Sequence, residues 1–392
     1  MRVLLLGGAG TQGSRIAKLL AQENSITELV VSDLDGERAK RVAQEVGASA
    51  GLGLDIRNHP ALLAAARNTD LIGNFAGPYS DTGLSGMSAA VESGVHYVDI
   101  NDDLNVSDLA AQYSGEAERR GCTLVLGIGG SPGLTNLWAR AGADRLERVD
   151  RIGLNWIASI SVFARALWIH RMGMASASVP VCRAGQIQEI QAWTEEESLN
   201  FPPPIGRQTV RVVGHGEPLM LHASRALLKE PQAVVCKGGY WVEEFNSLLT
   251  FLRDARLCTT EPLQVGESPV VPFDFMVEFL TSRYFVESPL FQRITALDDA
   301  KGTGFGVVVY VEGEKHGVRT RCTFRGASAD RNLIITGPAV TAIMLLADGT
   351  ITQRGVLFPE ALPSEPVLNY LRKRMTWEEE MESLEDTQIS PT

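Results

Sequence analysis

The sequence predicts an α/β protein in which a doubly wound parallel sheet is joined to a second, α+β domain with a mixed or antiparallel sheet. Short apolar strands alternate with amphipathic helices over roughly the first 130 residues, which is the pattern of a parallel sheet with helices on both faces. Past Asn136 the alternation loses its regularity, so we expect a different architecture there. A chain of 392 residues is long enough for two domains of ordinary size.

The first predicted strand leads directly into a glycine-rich loop. Residues 1–6 are apolar on both faces, as a central parallel strand requires, and a helix is predicted over 14–22. Between them lies the pattern GxGxxG, in which the first glycine permits a tight turn, the second lets the backbone approach a pyrophosphate, and the third lets helix and strand pack closely. The N–H groups of the helix N-terminus would hold the phosphates. We therefore predict a Rossmann dinucleotide-binding loop with the contact residues Gly8, Gly10, Thr11, Gln12 and Gly13.

The second predicted strand, over 28–32, ends at Asp33, which follows Gly13 by twenty residues. An acidic side chain at this position accepts hydrogen bonds from the ribose hydroxyls and repels a 2′-phosphate. Asp33 therefore favours NAD over NADP as the cofactor. The alternative is that Asp33 only caps the next helix, which begins near Gly36, although Asp35 is the better cap candidate.

The rest of the first domain places polar segments at the carboxyl ends of strands. Helices are predicted over 38–46, 59–66 and 83–93, and strands over 50–55, 71–75, 94–99 and 123–126. Ligands of such sheets bind beyond the carboxyl ends of the strands. We therefore expect a site lined by the segments that follow three of these strands, and we place the cofactor against Ala76, Gly77 and Pro78.

Five segments together resemble the saccharopine dehydrogenase family of NAD(P)-dependent enzymes. In chain order they are GGAGxxG at 7–13, AGPY at 76–79, GVHYVD at 94–99, a glycine-rich loop ending in PGLTN at 132–136, and GVLFPE at 355–360. The resemblance implies an NAD(P)-dependent oxidoreductase acting on a CH–NH bond, as do the family's saccharopine reductases, lysine 6-dehydrogenase and carboxynorspermidine dehydrogenase. It implies that the substrate is a small amine, amino acid or imine, of the amino-acid or polyamine type. It also implies a homodimer. Residues 150–330 resemble the family little.

The pattern and the resemblance together divide the chain into domains. We assign 1–134 and 336–376 to the Rossmann domain, 135–335 to a substrate-binding and dimerisation domain, and 377–392 to an acidic tail that frays. In the second domain, strands are predicted over 149–157, 304–312 and 317–325, with a turn at 313–316 and a proline-rich loop at 200–206. A helix over 338–346 is expected to return to the first domain.

Three residues of the first domain are candidate catalytic groups. Asp99 ends a strand on the ligand side, where a carboxylate can orient an amine or a water, or else only cap the next helix. His96 has the intrinsic pKa of a general base, but a buried, hydrogen-bonded histidine is the alternative. Tyr79 follows Gly77 and Pro78 and either closes over the nicotinamide or packs in the core. A lysine acid/base is not expected in residues 1–134, because their only lysines are Lys18 and Lys40, on helices away from the strand ends.

The candidate substrate-binding residues come from both domains. Asn101 and Asp102 share the strand end of Asp99. Arg165 and Arg171 are placed to hold a substrate carboxylate with two parallel hydrogen bonds. Tyr240 and Trp241, beside Gly238 and Gly239, form an aromatic patch suited to lining a pocket.

Composition excludes several other classes of function. The formal net charge is −11 and no basic cluster is visible, so we expect neither nucleic acid nor an anionic membrane surface as a partner. No apolar run reaches the roughly 18 residues of a membrane span, and the opening apolar residues are expected to be a buried strand rather than a signal peptide. The five cysteines show no metal-binding spacing, which predicts no metal site and a reducing, cytoplasmic location.

Two other functional classes are compatible with a Rossmann domain. One is a regulatory or sensor protein that binds NAD(P) without turnover; the elaborate strand-end loops and the large second domain favour the enzyme. The other is a short-chain oxidoreductase, which needs Tyr-x-x-x-Lys, and no tyrosine in the sequence has a lysine four residues later.

Overall fold

The computed structural model describes residues 1–104, 106–160, 164–175 and 178–384. They form two compact units. The first is Met1–Leu134 with Asn332–Arg374, and the second is Thr135–Arg331 with the segment that begins at Met375. Within the described residues, no helix combines the length and the apolar character needed to cross a membrane.

Strands and helices alternate through the first part of the first unit, as predicted. They are β1 (Arg2–Leu6), α1 (Thr11–Leu20), β2 (Glu28–Asp33), α2 (Gly36–Val46), β3 (Ala50–Gly53), α3 (His59–Ala66), β4 (Leu71–Asn74), α4 (Tyr79–Ser93), β5 (His96–Asp99), α5 (Val106–Arg120) and β6 (Thr123–Val125). β1 and β4 are buried on both faces, as central strands of a doubly wound sheet must be.

The second unit begins within α6 and is richer in strands. Its elements are α6 (Leu134–Asp144), β7 (Arg148–Ala158), α7 (Arg165–Met174), β8 (Val179–Arg183), β9 (Gln186–Ile190), β10 (Glu197–Phe201), β11 (Gly206–Val212), α8 (Glu217–Ala223), β12 (Ala233–Gly238), α9 (Glu243–Asp254), β13 (Leu263–Val265), β14 (Ser268–Val270), α10 (Pro272–Thr281), α11 (Arg283–Val286), α12 (Pro289–Lys301), β15 (Phe305–Lys315) and β16 (Val318–Ser328).

The chain then completes the first sheet and returns to the second. The last elements are α13 (Arg331–Ala347), β17 (Gly355–Leu357), α14 (Ser364–Arg372) and β18 (Thr376–Ser383). The first sheet has the order β17-β6-β5-β4-β1-β2-β3 and is parallel throughout. This is the Rossmann order with one strand added at the β6 edge, and the order reverses between β1 and β4, where such sheets bind their ligand.

The sheet of the second unit is mixed, which confirms the predicted α+β architecture. Its main path runs β10-β11-β12-β7-β15-β16-β18. β12 pairs with β7 in parallel, whereas β15 pairs antiparallel with both β7 and β16.

The predicted turn at 313–316 is wrong. β15 continues to Lys315, which pairs with Val318, so the turn is the two-residue pair His316-Gly317. These residues have φ of 52° and 75°, the left-handed conformation that two-residue hairpin turns demand. Gly313 lies inside β15, and glycine is needed there because the β7 backbone comes close. A Cβ on Gly313 would lie 1.9 Å from the Arg148 oxygen.

Three other predicted boundaries also need correction. Asn200 belongs to β10 and Gly206 to β11, so the proline-rich turn is shorter than predicted. The returning helix begins at Arg331, and Pro338 lies inside it, buried among the apolar residues that hold this helix in place. The acidic segment that was expected to fray forms β18, which pairs with β16 as far as Ser383, while 385–392 lie outside the described residues.

Candidate functional site

The glycine-rich loop turns at Gly7, not at Gly8 as predicted. Gly7 has a φ of 65°, and a Cβ there would lie 2.7 Å from the backbone nitrogen and Cα of Ala76. Gly8 instead donates its N–H to the oxygen of Ser32, at 2.7 Å, and so ties the loop to the end of β2. The backbone of the 76–78 segment therefore lies directly against the loop.

The other two glycines of the motif bring the start of α1 close to β1. A Cβ on Gly13 would lie 2.2 Å from the Gly7 oxygen, so only glycine fits at this point. A Cβ on Gly10 would meet only the Gly7 oxygen, at 3.1 Å, and otherwise points into open space. No side chain of the described residues caps α1. The first N–H groups of this helix can therefore hold an anion, as a dinucleotide pyrophosphate requires.

Two further predicted cofactor contacts lie at the edge of this loop. Gln12 donates from Nε2 to Asn332 Oδ1 at 3.0 Å, which links the loop to the start of α13. Asp33 ends β2 and is partly exposed, and its Oδ1 accepts from the N–H of Asp35. Asp35, not Asp33, caps α2, by accepting from the N–H groups of Glu37 and Arg38. The capping alternative for Asp33 is therefore wrong.

A buried hydrogen-bond network holds the segment after β4. Asn74 Oδ1 accepts from the N–H of Ala76, and Asn74 Nδ2 donates to the Tyr97 hydroxyl at 3.1 Å. Tyr79 donates to the backbone oxygen of Asn74 at 2.9 Å, and burial, followed by the charge of Asp99, raises its pKa well above the ordinary value. The structure therefore places Tyr79 in the packing role rather than over the nicotinamide. The sequence did not predict the roles of Asn74 and Tyr97: Asn74 is a polar residue at the end of a buried strand, and Tyr97 lies inside β5.

Asp99 joins the ends of two strands. It is fully buried, and its Oδ1 accepts from the N–H of Gly127 at 2.7 Å and from the N–H of Asn101 at 3.1 Å. Its Oδ2 is also buried, and the Tyr97 hydroxyl interacts with the Asp99 carboxyl as well. Burial raises the pKa of Asp99 to about 6, against the opposing effect of the Gly127 and Asn101 amides and of the Tyr97 hydroxyl. A carboxyl with this pKa changes its protonation state close to neutral pH, as an acid/base group should.

His96 lies at the amino end of β5, opposite the carboxyl end where the predicted catalytic role would place it. It begins β5, about 10 Å along the strand from Asp99, and its backbone N–H donates to Asp70, which precedes β4. Its Nδ1 accepts from the N–H of Thr123 at 3.0 Å. Burial and the nearby Arg354 charge lower its pKa. His96 is thus a half-buried, hydrogen-bonded histidine, which is closer to the alternative interpretation than to a general base.

The two polar residues after Asp99 belong to its loop. Asn101 is fully buried, and its Oδ1 accepts from the N–H of Asp103 at 2.9 Å. Asp102 lies beside it and is partly exposed. The neighbouring glycine-rich loop is closed on itself, since a Cβ on Gly133 would lie 2.0 Å from the Gly129 oxygen. The carboxyl edge around Asp99 is thus built from two tightly packed loops.

The predicted arginines of the second unit do not present themselves to a substrate. Arg165 is exposed and donates to Glu278 Oε1 at 2.8 Å. Arg171 is 1% exposed, donates to the Ile160 oxygen, and lies over the rings of Trp168, Tyr240 and Phe245. The structure gives no support to a carboxylate-binding role for either arginine, because each guanidinium contacts other groups of the second unit, and both roles stay predictions.

Tyr240 and Trp241 line an open cavity of about 740 Å³ within the second unit. The Trp241 indole donates to Asp298 Oδ1 at 2.6 Å, and Tyr240 donates its backbone N–H to Asn246 Oδ1. The same cavity is lined by Arg207, Arg211, Glu243, Glu244 and Lys301. It offers aromatic surface together with both signs of charge.

Comparison with known proteins identifies the first unit. Residues 3–125 match the family model of the saccharopine dehydrogenase NADP binding domain. Apo saccharopine dehydrogenase (L-Glu forming) from Saccharomyces cerevisiae has a similar structure, with a TM-score of 0.70 at 15% identity over 97% of this chain and 99% of the other.

Weaker similarity extends to two other dehydrogenase structures. DAP dehydrogenase of C. glutamicum in complex with DAP has a TM-score of 0.46 at 12% identity, over 95% of this chain and 98% of the other. Amine dehydrogenase from Mycobacterium smegmatis has a TM-score of 0.44 at 12% identity, over 93% and 96%. Residues 3–125 are thus similar to a pyridine-nucleotide-binding domain of the saccharopine dehydrogenase family, as the sequence motifs predict, and the chain shares the fold of the yeast saccharopine dehydrogenase.

Proposed function

We propose that this protein is an NAD(P)-dependent oxidoreductase that acts on a CH–NH bond of an amino acid or polyamine-like substrate. The observation that carries the proposal is the glycine cradle at Gly7, Gly10 and Gly13, in a domain of the saccharopine dehydrogenase family. A Cβ at any of these positions would enter the backbone or the open space in front of α1.

The residues around this cradle fit a dinucleotide in an extended pose. The N-terminus of α1, with Thr11 and Gln12, would hold the pyrophosphate, and Asp33 would bind the adenosine ribose. The segment at Ala76, Gly77 and Pro78 would lie against the nicotinamide half. When bound, the nicotinamide supplies or accepts the hydride. The protein must then orient the substrate and move a proton on or off its nitrogen.

Asp99 is our candidate for the proton. Its Oδ1 is occupied by two amides, so the proton would reside on Oδ2, and a pKa of about 6 lets the group exchange it near neutral pH. Asn101 and Asp102, in the same loop, are the candidate polar contacts of the substrate. In the second unit the candidate contacts are Tyr240 and Trp241, on the wall of the open cavity.

We further propose NAD as the preferred cofactor. The support is Asp33, whose carboxylate lies at the end of β2 and is not used as a helix cap. The family model is named for NADP, so the choice needs a direct test. Arg38, exposed in the first turn of α2, is the nearby cation that could serve a 2′-phosphate once the acidic charge is removed.

Replacing Asp33 by Ser tests that choice. We expect Asp33→Ser to weaken NADH binding about tenfold or more, since two ribose hydrogen bonds are lost, and to improve NADPH binding. Fluorescence titration with both reduced cofactors measures the change, with Asp35→Ser as the matched control that changes an acidic residue of the same loop. A wild-type preference for NADPH would contradict this cofactor assignment.

Turnover tests the reaction class. Absorbance at about 340 nm should rise when the protein is mixed with NAD or NADP and the right amine from a panel of amino acids and polyamines. In reverse, NADH or NADPH should be consumed with keto acids or aldehydes plus amines. Tight NADH binding with no turnover across both panels would favour the alternative of a sensor that binds NAD(P) without chemistry.

A homodimer in a reducing, cytoplasmic setting is the proposed context. The exposed rings of Phe275 and Phe279, stacked 6.2 Å apart on α10, are the apolar surface that a second copy would cover. The five cysteines are free thiols. Light scattering on a sizing column should give twice the chain mass for the wild type, and Phe275→Glu should give the monomer mass.

A further inference from the structure

Three different metal-ligating side chains meet in the interior of the second unit. His215 precedes α8, Glu217 is its first residue, and Cys236 lies on β12. All three residues are buried, and their ligand atoms lie within 4.8 Å of one another. Within this cluster, His215 Nδ1 and Glu217 Oε2 are 3.3 Å apart.

His215 is the residue that points to a ligand. His215 is 3% exposed; its Nδ1 faces the Glu217 carboxylate at 3.3 Å, and its Nε2 has no hydrogen-bond partner among the described residues. A buried ring nitrogen that lacks a hydrogen bond destabilises the folded protein unless a ligand satisfies it. The ring is held in place by Trp156, which stacks on it at 5.3 Å with an interplanar angle of 26°. The orientation of this imidazole is therefore fixed, and it lies beside a carboxylate and a thiol that could bind the same ligand.

We propose that His215, Glu217 and Cys236 bind a divalent transition metal ion, with Zn²⁺ as the best fit. Thiolate, imidazole and carboxylate are the ligands of zinc, whereas Mg²⁺ and Ca²⁺ prefer oxygen ligands alone. Metal–ligand bonds of about 2.0–2.3 Å in a tetrahedron place ligand atoms about 3.3–3.8 Å apart. The His215–Glu217 pair is already at this separation, and the other pairs need to close by at most about 1.5 Å.

The charges and protons at this site balance. Binding requires the thiol of Cys236 to release its proton to solvent, so that the thiolate and the Glu217 carboxylate neutralise the two charges of the ion. His215 binds as the neutral imidazole. Affinity therefore rises with pH. Three protein ligands leave the fourth tetrahedral position for a water or for a nitrogen or oxygen of another molecule, as in zinc sites that do chemistry.

Thr135 is the positioning residue of this site. Its hydroxyl donates to Glu217 Oε1 at 3.2 Å, which is the carboxylate oxygen that does not face His215. Such outer contacts fix the orientation of a ligating side chain. The sequence offers no recognisable zinc spacing here, because Cys236 comes from a strand that only the folded sheet brings beside the start of α8.

Cobalt titration tests the proposal without any nicotinamide or substrate, so its outcome is independent of the proposed function. Full-length protein freed of metal with a chelator is titrated with CoCl₂ and followed by absorbance. We expect one equivalent to bind, with the visible bands of four-coordinate Co²⁺ and a near-ultraviolet band of the cobalt–thiolate bond, all displaced by ZnCl₂. Cys236→Ser should lose the thiolate band, and His215→Gln should bind at least about tenfold more weakly.

The control is Cys182→Ser, which alters a buried cysteine beside His222 and should keep every band. If Cys236→Ser does not fold, Thr135→Val keeps all three ligands and should lower affinity about 10- to 100-fold. The absence of stoichiometric Co²⁺ binding by the wild type would overturn the proposal. So would a thiolate band that survives in folded Cys236→Ser, or a Thr135→Val affinity equal to the wild type.

Discussion

Single residues set the geometry of the cofactor loop. The sequence pattern located Gly10 and Gly13 correctly relative to β1 and α1, but it attributed the turn to Gly8, which follows the residue with the left-handed backbone. The error arose because GGAG contains two adjacent glycines and the motif alone does not say which one turns. What decides is the contact of Gly7 with Ala76, and that contact depends on β4, which lies some seventy residues away.

Gly10 separates binding from folding more cleanly than the other glycines of the loop. A Cβ there meets only the Gly7 oxygen, at 3.1 Å, so Gly10→Ala should leave the melting temperature of the free protein nearly unchanged. The methyl group would occupy the approach to the pyrophosphate, and we expect NADH affinity to fall about tenfold or more. Fluorescence titration and a thermal melt measure the two effects.

The matched control for that substitution is Gly115→Ala. Gly115 is exposed within α5 with nothing near its Cβ position, so alanine should stabilise the helix by about 0.5–1 kcal/mol and leave NADH binding unchanged. If Gly10→Ala binds NADH as tightly as the wild type, the pyrophosphate does not lie in front of α1.

The buried carboxyl of Asp99 predicts a specific dependence of stability on pH. Its pKa is about 6 in the folded protein against 3.8 for the free side chain. The folded state therefore holds the proton more tightly, and this contribution to stability is complete below about pH 4 and is lost as the pH rises through 6. The pKa difference corresponds to about 3 kcal/mol.

Asp99→Asn is the variant that shows this dependence, because its Oδ1 can still accept from both amides that Asp99 Oδ1 serves. Between pH 4 and 8 the free energy of unfolding of the wild type should fall by about 2.4 kcal/mol relative to Asp99→Asn. Urea titrations across that range measure it. If Asp99 also carries the catalytic proton, the variant should lose turnover while it keeps cofactor affinity. Parallel stability curves for the two proteins would contradict the buried, raised carboxyl.

At the scale of elements, sequence patterns succeeded where contacts are local and failed where the partner is remote. The alternation of β1 to β6 with helices follows from apolar runs and glycine-rich turns that lie next to one another. The segment that forms β18 was predicted to fray, because a run of glutamates with one tryptophan gives no local sign of pairing. Its partners are distant: Glu379 pairs with Arg145, and Glu380 with Arg325.

The packing of the Trp377 ring stabilises β18 on the edge of the second sheet. Its ring meets Trp138 edge-on, with centroids 4.7 Å apart, whereas surface ion pairs such as those of β18 contribute little. Trp377→Ala should therefore lower the free energy of unfolding by about 1–3 kcal/mol, less than for a fully buried tryptophan. Chemical denaturation measures it. Met381→Ala, exposed on the same strand, should change stability by less than about 0.5 kcal/mol, and equal losses in both variants would argue against this packing.

At the scale of the whole molecule, the sequence motifs predicted the fold of the first unit, whereas the packing of the second unit became visible only in the structure. The proposed cofactor site could be inferred from the sequence because it rests on one continuous glycine loop and one acidic residue at the end of the next strand. Candidate residues of the second unit could not be chosen by residue type alone. Arg165 and Arg171 are suitable cations by type, but one lies in a surface ion pair and the other among aromatic rings. His215, Glu217 and Cys236 come together only in the fold.

The transfer of deuterium from the cofactor tests the central claim most directly. The protein is incubated with NADH or NADPH deuterated at the reactive position of the nicotinamide, together with a panel of keto acids or aldehydes and amines, and the products are read by mass spectrometry. The proposed reaction predicts a secondary or primary amine product that carries one deuterium on the carbon bonded to nitrogen. Deuterium found only on an alcohol carbon, or no transfer to any product despite tight cofactor binding, would contradict it.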